Sequence, residues 1–250
     1  MLVDLFTDEV GLSRLIDLCK NLDFEINRIY LVRKKFFEIV KNEDIEMVRT
    51  NIEIFEEIED LFSTKAEIGI CFSFGKVIKK HILKGYKYGI LNFHTGRLPL
   101  YRGANTINWM VINGEKETQM SLHLMDEQID HGPIISTQDF EIKVDETSRE
   151  LLQRMSMGVP SFAPDIKEYI DGKIEPRPQN DQFAQYWPRR KPEDGFFDWK
   201  MSDIDIHNLI RALVRPWPGA FYKNKNGETI RIQEYWDLEK IRRTRKNEET

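Results

Sequence analysis

Apolar residues in this chain fall into short runs that alternate with stretches of helical period. The first run, "LVDLF" (2–6), reads as a buried strand. Over 11–22, Leu12, Leu15, Ile16, Leu18 and Cys19 return at the spacing of one helical face. The same reading predicts a strand at 26–32, a helix at 34–41, a strand at 45–50 and an acidic amphipathic helix at 53–62. A strand at 67–73, a short helix around 76–84 and a strand at 88–94 follow. Strands alternating with helices of this length predict an α/β fold, Rossmann-like, with a doubly wound and mostly parallel sheet.

Beyond a Gly/Pro break, 103–114 looks helical, and 120–126 and 133–142 look like further strands. Residues 147–172 read as one long helix interrupted near Gly158 and Pro160. The polar, proline-rich stretch 173–182 reads as a linker. The remainder holds a helix at about 202–213 and a hairpin turning at Asn226-Gly227, a pair that favours two-residue hairpin turns. The expected division is a main domain over 1–178 and a small β-rich C-terminal subdomain over 179–250. No internal repeat or low-complexity segment is present.

Composition narrows the function classes. At 250 residues, with 40% apolar, 32% charged and 11% aromatic residues, the chain is ordinary for a globular protein and unlike a disordered one. A formal net charge of −5 gives no general attraction to nucleic acid or anionic membrane. The ending "KIRRTRKNEET" is expected to be a solvated, frayed end. Cys19 and Cys71 lie far apart and form no CxxC pair, so neither a disulfide framework nor a zinc site is expected. The amino terminus lacks a basic start and a long apolar stretch, and no run approaches the roughly eighteen apolar residues of a membrane span. A cytoplasmic protein is the expectation.

Candidate chemistry begins at "LNFHTGRLPLYRG" (91–103). Asn92 and His94, two apart on a strand, project from one face at its carboxyl end, where open α/β sheets bind ligands. A lone histidine there is most simply a satisfied polar group. The stretch "LHLMDEQIDHGPII" (122–135) shifts that balance, because its polar loop carries Asp130 beside Gly132. An acid next to His94 orients the imidazole and stabilises its protonated form, and an amide can hydrogen-bond a carbonyl oxygen as it gains charge. Asn, His and Asp together suit transfer of an acyl group to an amine without a protein nucleophile.

These stretches resemble the folate-dependent formyltransferase family, which acts on methionyl-tRNA, glycinamide ribonucleotide and nucleotide-linked amino sugars. The shared pattern is N-x-H, then Leu-Pro-x-x-[RK]-G, then an acidic loop ending D-x-G-x-I. The later stretches "RRKPEDGFFDW" and "LIRALVRPWPGAF" resemble the segment joining the catalytic and C-terminal parts of the tRNA and sugar branches. The resemblance runs from about residue 1 to 235. It implies a formyltransferase fold with Asn92, His94 and Asp130 as catalytic residues and N10-formyltetrahydrofolate as the donor. The pterin would lie against the loops carrying Phe74, Gly75, Lys76 and Ile78, and Met125 and Asp126. No metal is expected.

The chain departs from the family pattern at Gly96, often Ser, and at Arg97, often Leu. Arg97 is a candidate for a substrate anion, with a surface ion pair as the plain alternative. The turn "FTDEVG" lacks a glycine-rich phosphate loop, yet Gly11 at the first helix's amino terminus remains a candidate grip for phosphate. Arg102 lies in the turn beside the site, where it either fixes the turn or meets the substrate. Trp217, with Tyr186, Trp187, Trp199 and Phe221, either stacks on a nucleotide base or packs between subdomains.

Among the branches, a tRNA enzyme needs a full basic C-terminal domain, whereas this chain is net acidic and ends soon after "PWPGA". The glycinamide ribonucleotide branch lacks the "EDGFFDW" and "PWPGAF" segments. The resemblance therefore favours an N-formyltransferase for a nucleotide-linked sugar, with a UDP, dTDP or GDP carrier and a 4-amino-4,6-dideoxy hexose. Its product would feed surface polysaccharide (O-antigen, lipopolysaccharide) synthesis. A homodimer through the C-terminal hairpin is a further implication. The methionyl-tRNA and glycinamide ribonucleotide branches stay open, as does a non-catalytic folate or nucleotide-binding module. A metal site from His94, His123, His131, Asp126 and Asp130 lacks a recognisable ligand spacing, and no GxGxxG follows the first strand to support a dinucleotide oxidoreductase.

Overall fold

A computed structural model describes residues 1–32, 53–55 and 64–249 of the chain. Strand β1 (Leu2–Asp8) is buried from Val3 onward and feeds helix α1 (Glu9–Leu22). Asp8 starts that helix, its Oδ1 accepting from the Val10 and Gly11 N–H groups at 3.0 and 2.9 Å. Asp23 ends it in the left-handed region, at φ 57°. Leu12, Leu15, Ile16, Leu18, Cys19 and Leu22 form the buried face that the sequence periodicity marked.

Strand β2 (Glu25–Val32) lies beside β1 in parallel, and β3 (Glu53–Phe55) pairs in parallel with β2, Ile29 opposite Ile54. Residues 53–55 were expected to open a helix. They form a strand because β2 offers an open ladder of backbone groups, and such pairing overrides local propensity. The expected helix at 34–41, the strand at 45–50 and positions 56–62 lie outside the described residues.

The next elements are β4 (Ile68–Phe72), helix α2 (Lys80–Leu83), β5 (Ile90–Thr95) and the two-residue β6 (Arg102–Gly103). Helix α3 (Thr106–Ile112), β7 (Glu117–Leu124), β8 (Ile134–Glu141) and α4 (Ser148–Met157) come after them. A 3-10 turn over Val159–Phe162, carrying Pro160, breaks the long predicted helix into α4 and α5 (Ala163–Ile170), since proline removes a helical N–H. The chain ends with β9 (Tyr186–Trp187), α6 (Asp203–Ala212), β10 (Ala220–Lys223), β11 (Thr229–Ile232) and α7 (Leu238–Glu249).

The sheet has seven strands in the order β3-β2-β1-β4-β5-β7-β8. β4 is parallel to both β1 and β5. β7 runs antiparallel to β5, and its register sets Asn92 opposite His123 and His94 opposite Ser121. The sheet is thus mostly parallel, as its α/β pattern predicts, with one antiparallel neighbour at the strand that carries Asn92 and His94.

The described chain divides into two compact units. The first comprises Met1–Arg102, Gln119–Gln138 and Met155–Gln185, and the second Gly103–Thr118, Asp139–Arg154 and Tyr186–Thr250. In the first unit, the stretch expected to be a linker is pinned. Arg177 and Ile134 exchange two backbone hydrogen bonds of 2.8 Å, because the end of β8 presents unpaired groups that the passing chain satisfies.

In the second unit, β10 and β11 form the predicted antiparallel hairpin. Buried Arg211 donates to the Glu146 carbonyl at 2.8 Å and to Asn208 Oδ1 at 2.9 Å. The basic ending is helix α7, where a frayed end was expected. Asp237 Oδ1 accepts from the Lys240 N–H at 2.7 Å, Ile241 is fully buried, and Arg242 and Arg245 both pair with Asp203 at 2.9 and 3.0 Å. A cap, one apolar anchor and a shared carboxylate give this charged segment enough to hold a helix. Among the described residues no helix is long and apolar enough to cross a membrane, and no group of three His, Cys, Asp or Glu side chains is placed to hold a metal ion.

Candidate active site

β5 delivers Asn92 and His94 to the carboxyl end of the parallel strands, and the turn after β7 brings Asp130 to them. His94 Nδ1 lies 3.4 Å from Asp130 Oδ1, both largely buried. His94 Nε2 is 2.5 Å from the Tyr101 carbonyl. A carbonyl only accepts, so Nε2 carries a proton. With Nε2–H fixed, the approach of Nδ1 to the carboxylate is attractive only with a proton between them. His94 Nε2–H is thus committed to the Tyr101 carbonyl, and Nδ1 is the nitrogen that faces Asp130.

Two glycines let this arrangement close. A Cβ at Gly132 would sit 1.9 Å from the Leu124 carbonyl. The acidic loop thus comes back onto β7 itself. A Cβ at Gly96 would sit 2.8 Å from His94 Nε2 and 3.0 Å from the Tyr101 carbonyl. The serine common at that position in the family pattern would crowd the hydrogen bond that fixes His94.

Asp130 has φ 50°, in the left-handed region, which a non-glycine residue holds only with support. Gln179 provides it. Its Nε2 donates to the carbonyls of Asp130 and Gly132 at 2.9 and 2.7 Å, while its Oε1 accepts from Arg102 Nε and Nη2 at 3.0 and 2.9 Å. Arg102 Nη2 also meets Asp181 at 2.8 Å, and Arg102 is almost fully buried. The Arg102 guanidinium is held by Gln179 and Asp181. Asp126 turns toward His131, Nδ1 to Oδ2 2.5 Å, and that hydrogen bond holds the imidazole above its ordinary value. Lys80 pairs with Glu127 on the same loop.

Phe74, Ile78 and Met125 gather on one apolar cluster with Phe6, Tyr30, Cys71, Ile82, Tyr86 and Ile90. Phe74 meets Phe6 edge-on at 5.6 Å, and Ile78 is itself a core residue. Gly75 and Lys76 are exposed, with open space where a Gly75 side chain would be. Arg97 is half-buried on the turn after β5. Gly11 does not offer its N–H to a phosphate, because Asp8 already accepts from it, and Asp8 Oδ2 takes the Ser73 hydroxyl at 2.7 Å. What Gly11 provides is close approach: a Cβ there would be 2.4 Å from Thr7 Oγ1. Trp217 is half-buried in the second unit, in the loop after α6.

His123 and Gln179 are the residues that sequence reasoning missed. His123, 1% exposed, has Nε2 3.0 Å from Asn92 Nδ2 and Nδ1 2.8 Å from the Leu124 carbonyl. Its only signal was a histidine in an apolar strand, and the antiparallel register that aims it at Asn92 was not readable. Gln179 sat in a stretch read as linker.

A half-buried amide, a buried imidazole and a half-buried carboxylate thus lie together at the carboxyl end of the parallel strands. Residues 32–162 match the formyl transferase family model, and 189–244 match that of the formyl transferase C-terminal domain. The chain belongs to the formyl transferase family. It is 36% identical over 222 residues to the bifunctional polymyxin resistance protein ArnA of Wigglesworthia glossinidia brevipalpis, covering 85% of this chain and 34% of that one. It is 35% identical over 197 residues to the methionyl-tRNA formyltransferase of Caldanaerobacter subterraneus subsp. tengcongensis, covering 78% and 61%. The chain thus spans less than two thirds of the length of either relative. Among solved structures, a 4-N formyltransferase from Francisella tularensis superposes with a TM-score of 0.75 at 15% identity, over 94% of this chain and 98% of that one. An N-formyltransferase from Helicobacter canadensis, in complex with folinic acid and dTDP-3-aminofucose, gives 0.66 at 24% identity, over 85% and 80%. At these identities the structural likeness establishes the shared fold.

Proposed function

We propose that this protein transfers a formyl group from N10-formyltetrahydrofolate to the amine of a nucleotide-linked amino sugar. The observation that carries this reading is the His94–Asp130 pair at 3.4 Å on the strand that also bears Asn92. The amine attacks the formyl carbon, and the Asn92 amide and the His94 side steady the oxygen as it gains charge. The His94–Asp130 pair gives its proton to N10 as the C–N10 bond breaks and is reloaded by the proton the amine releases. Tetrahydrofolate and the formamide leave. Phe74, Gly75, Lys76, Ile78, Met125 and Asp126 are the residues assigned to the donor, and Arg97 and Trp217 to the acceptor.

The folinic acid and dTDP-3-aminofucose bound to the Helicobacter canadensis neighbour support both the donor and the acceptor class. The methionyl-tRNA relative supports a second acceptor, aminoacylated tRNA, against which the net charge of −5 argues. The test incubates the protein with N10-formyltetrahydrofolate and a panel of UDP-, dTDP- and GDP-linked 3-amino and 4-amino sugars, with mass spectrometry reading formyl gain. Formylation of a sugar is the expected result. Transfer only to methionyl-tRNA or to glycinamide ribonucleotide overturns the acceptor, and no transfer to any amine overturns the activity.

A further inference from the structure

His123 lies in the strand beside Asn92, fully enclosed, and its Nδ1 has a partner of fixed polarity. The Leu124 carbonyl, 2.8 Å from Nδ1, can only accept, so Nδ1 bears the proton. Nε2 is then a lone pair, and it faces the Asn92 side-chain amide at 3.0 Å. A lone pair attracts the NH2 end of an amide and repels the carbonyl end. The amide orientation follows from the Leu124 carbonyl through His123.

We propose that His123 is a positioning residue for the reaction: as a neutral imidazole protonated on Nδ1, it locks the Asn92 amide with its donor end fixed and its second N–H available to the formyl oxygen. The inference deepens the formyl-transfer reading and rests on it. The flipped amide would set Oδ1 against the Nε2 lone pair and turn an acceptor, not a donor, toward the developing negative charge.

The surroundings agree with a neutral ring. Burial pushes the His123 imidazole down to about 4, against the opposing pull of Asp130 and with the like charge of His94 adding to the fall. Asp126 is the other charged group that acts on it. Neutrality has a second consequence. His123 Nε2 is 3.8 Å from Asp130 Oδ1, and a proton on Nε2 would make His123 a rival to His94 for that carboxylate. As an acceptor, His123 leaves Asp130 to His94.

The cross-strand register is what places the pair. Asn92 and His123 stand directly opposite in the antiparallel ladder, where same-face side chains come closest. The close return of Gly132 onto the Leu124 carbonyl holds in place the acceptor that fixes the tautomer.

The test compares His123→Phe, which keeps the ring shape without an acceptor, with His123→Gln, which restores one. His123→Phe is expected to lower kcat by roughly 30- to 100-fold, the scale of a misplaced oxyanion donor, with KM for donor and acceptor within about three-fold. His123→Gln is expected to recover most of that loss. In an Asn92→Ala background, His123→Phe should cost no more than about a further two-fold. An equal loss in that background, or a His123→Phe enzyme within a few-fold of wild type, overturns the inference while formyl transfer stands. A readout free of activity uses nitrogen-15 NMR of histidine-labelled wild-type protein. The expected signal is an Nδ1–H tautomer at His123 that stays neutral from pH 8 to 5. An Nε2–H tautomer, or titration near the ordinary value, overturns the proposal even if the variants fail to fold. Absence of transfer by wild-type protein to any amine would instead sink the underlying function.

Discussion

The parallel strands of the first unit carry a buried polar cluster at each end, and the two are built on opposite terms. At the amino end, Asp4 is fully buried and accepts hydrogen bonds from Asn27 at 2.7 Å, from Thr64 at 2.7 Å and from Tyr86 at 2.9 Å. Burial, followed by the Asp4 charge, pushes the Tyr86 phenol up, so it stays a donor across the working pH range. Among the described residues, each member of this cluster faces another member. At the carboxyl end, the Asn92 amide faces His123, and His94 lies 3.4 Å from Asp130. Burying polar groups is costly in both places. The amino-end cluster offsets that cost by internal satisfaction, and the proposed reaction would draw on the groups at the carboxyl end.

That contrast predicts where substitution separates activity from stability. Asp130→Asn keeps the shape and removes the charge that holds the proton with His94. Transfer should fall by about a thousand-fold, while the melting temperature stays within a few degrees of wild type. Stopped assays with the accepted amine, alongside thermal unfolding, read both quantities, and turnover within a few-fold of wild type would remove Asp130 from the catalytic set. Gln179→Leu comes next. It strips two hydrogen bonds from the carbonyls that hold Asp130 at φ 50° and leaves the Arg102 guanidinium short of a partner. A loss of roughly ten- to fifty-fold in kcat is expected. If kcat holds steady, the left-handed turn does not need the clamp.

The sequence made the carboxyl-end cluster legible only in part, for physical reasons. Asn92 and His94 stood out because period-two spacing at a strand end is local, and Asp130 because it shares a short loop with Gly132. The fold was legible for the same cause: α1 is read from its own apolar face and Asp8 cap. His123 and Gln179 act across 31 and 47–49 residues of chain, through a strand register and a return of the backbone. Neither leaves a local period. Gly11 misled in the opposite direction: an amino-terminal helical glycine looks like a phosphate grip, yet Asp8 satisfies its N–H and the missing Cβ makes room for Thr7 and Phe72. β3 misled because strand pairing with β2, not local pattern, decides its conformation. The basic ending misled because Asp203, which pairs twice with α7, lies far back in the sequence.

Tyr86→Phe probes the other end of the comparison. It removes one donor from the buried Asp4 carboxylate without changing the ring, at a cost of about 1–3 kcal/mol. Chemical denaturation should register that loss. The rate per folded molecule should stay within two-fold of wild type, since Tyr86 is bonded to Asp4 and not to His94 or Asp130. A large fall in kcat would mean that strain passes along the strands from one end to the other.

The smallest effect is in pH, and its sign also distinguishes the two clusters, because only the carboxyl end carries histidines. The hydrogen bond to Asp126 raises His131 above its ordinary value near 6.5, with Asp181 contributing through Nε2. A group whose folded value is raised binds its proton more tightly in the native state. Its stabilisation is fully present below pH 6.5 and disappears as pH rises through the raised value. His123 and His207, which burial lowers, have the opposite sign: their neutral forms cost stability as pH falls below 6.5. Wild-type protein therefore sums opposing slopes, and the contribution of His131 emerges only as a difference. The melting temperature of His131→Gln should trail wild type at pH 6 and converge with it by about pH 9, by a degree or two because the pair is partly exposed. A gap that widens with pH would mean that His131 is held neutral and that the Asp126 loop is fixed by Gln179 and Lys80 alone.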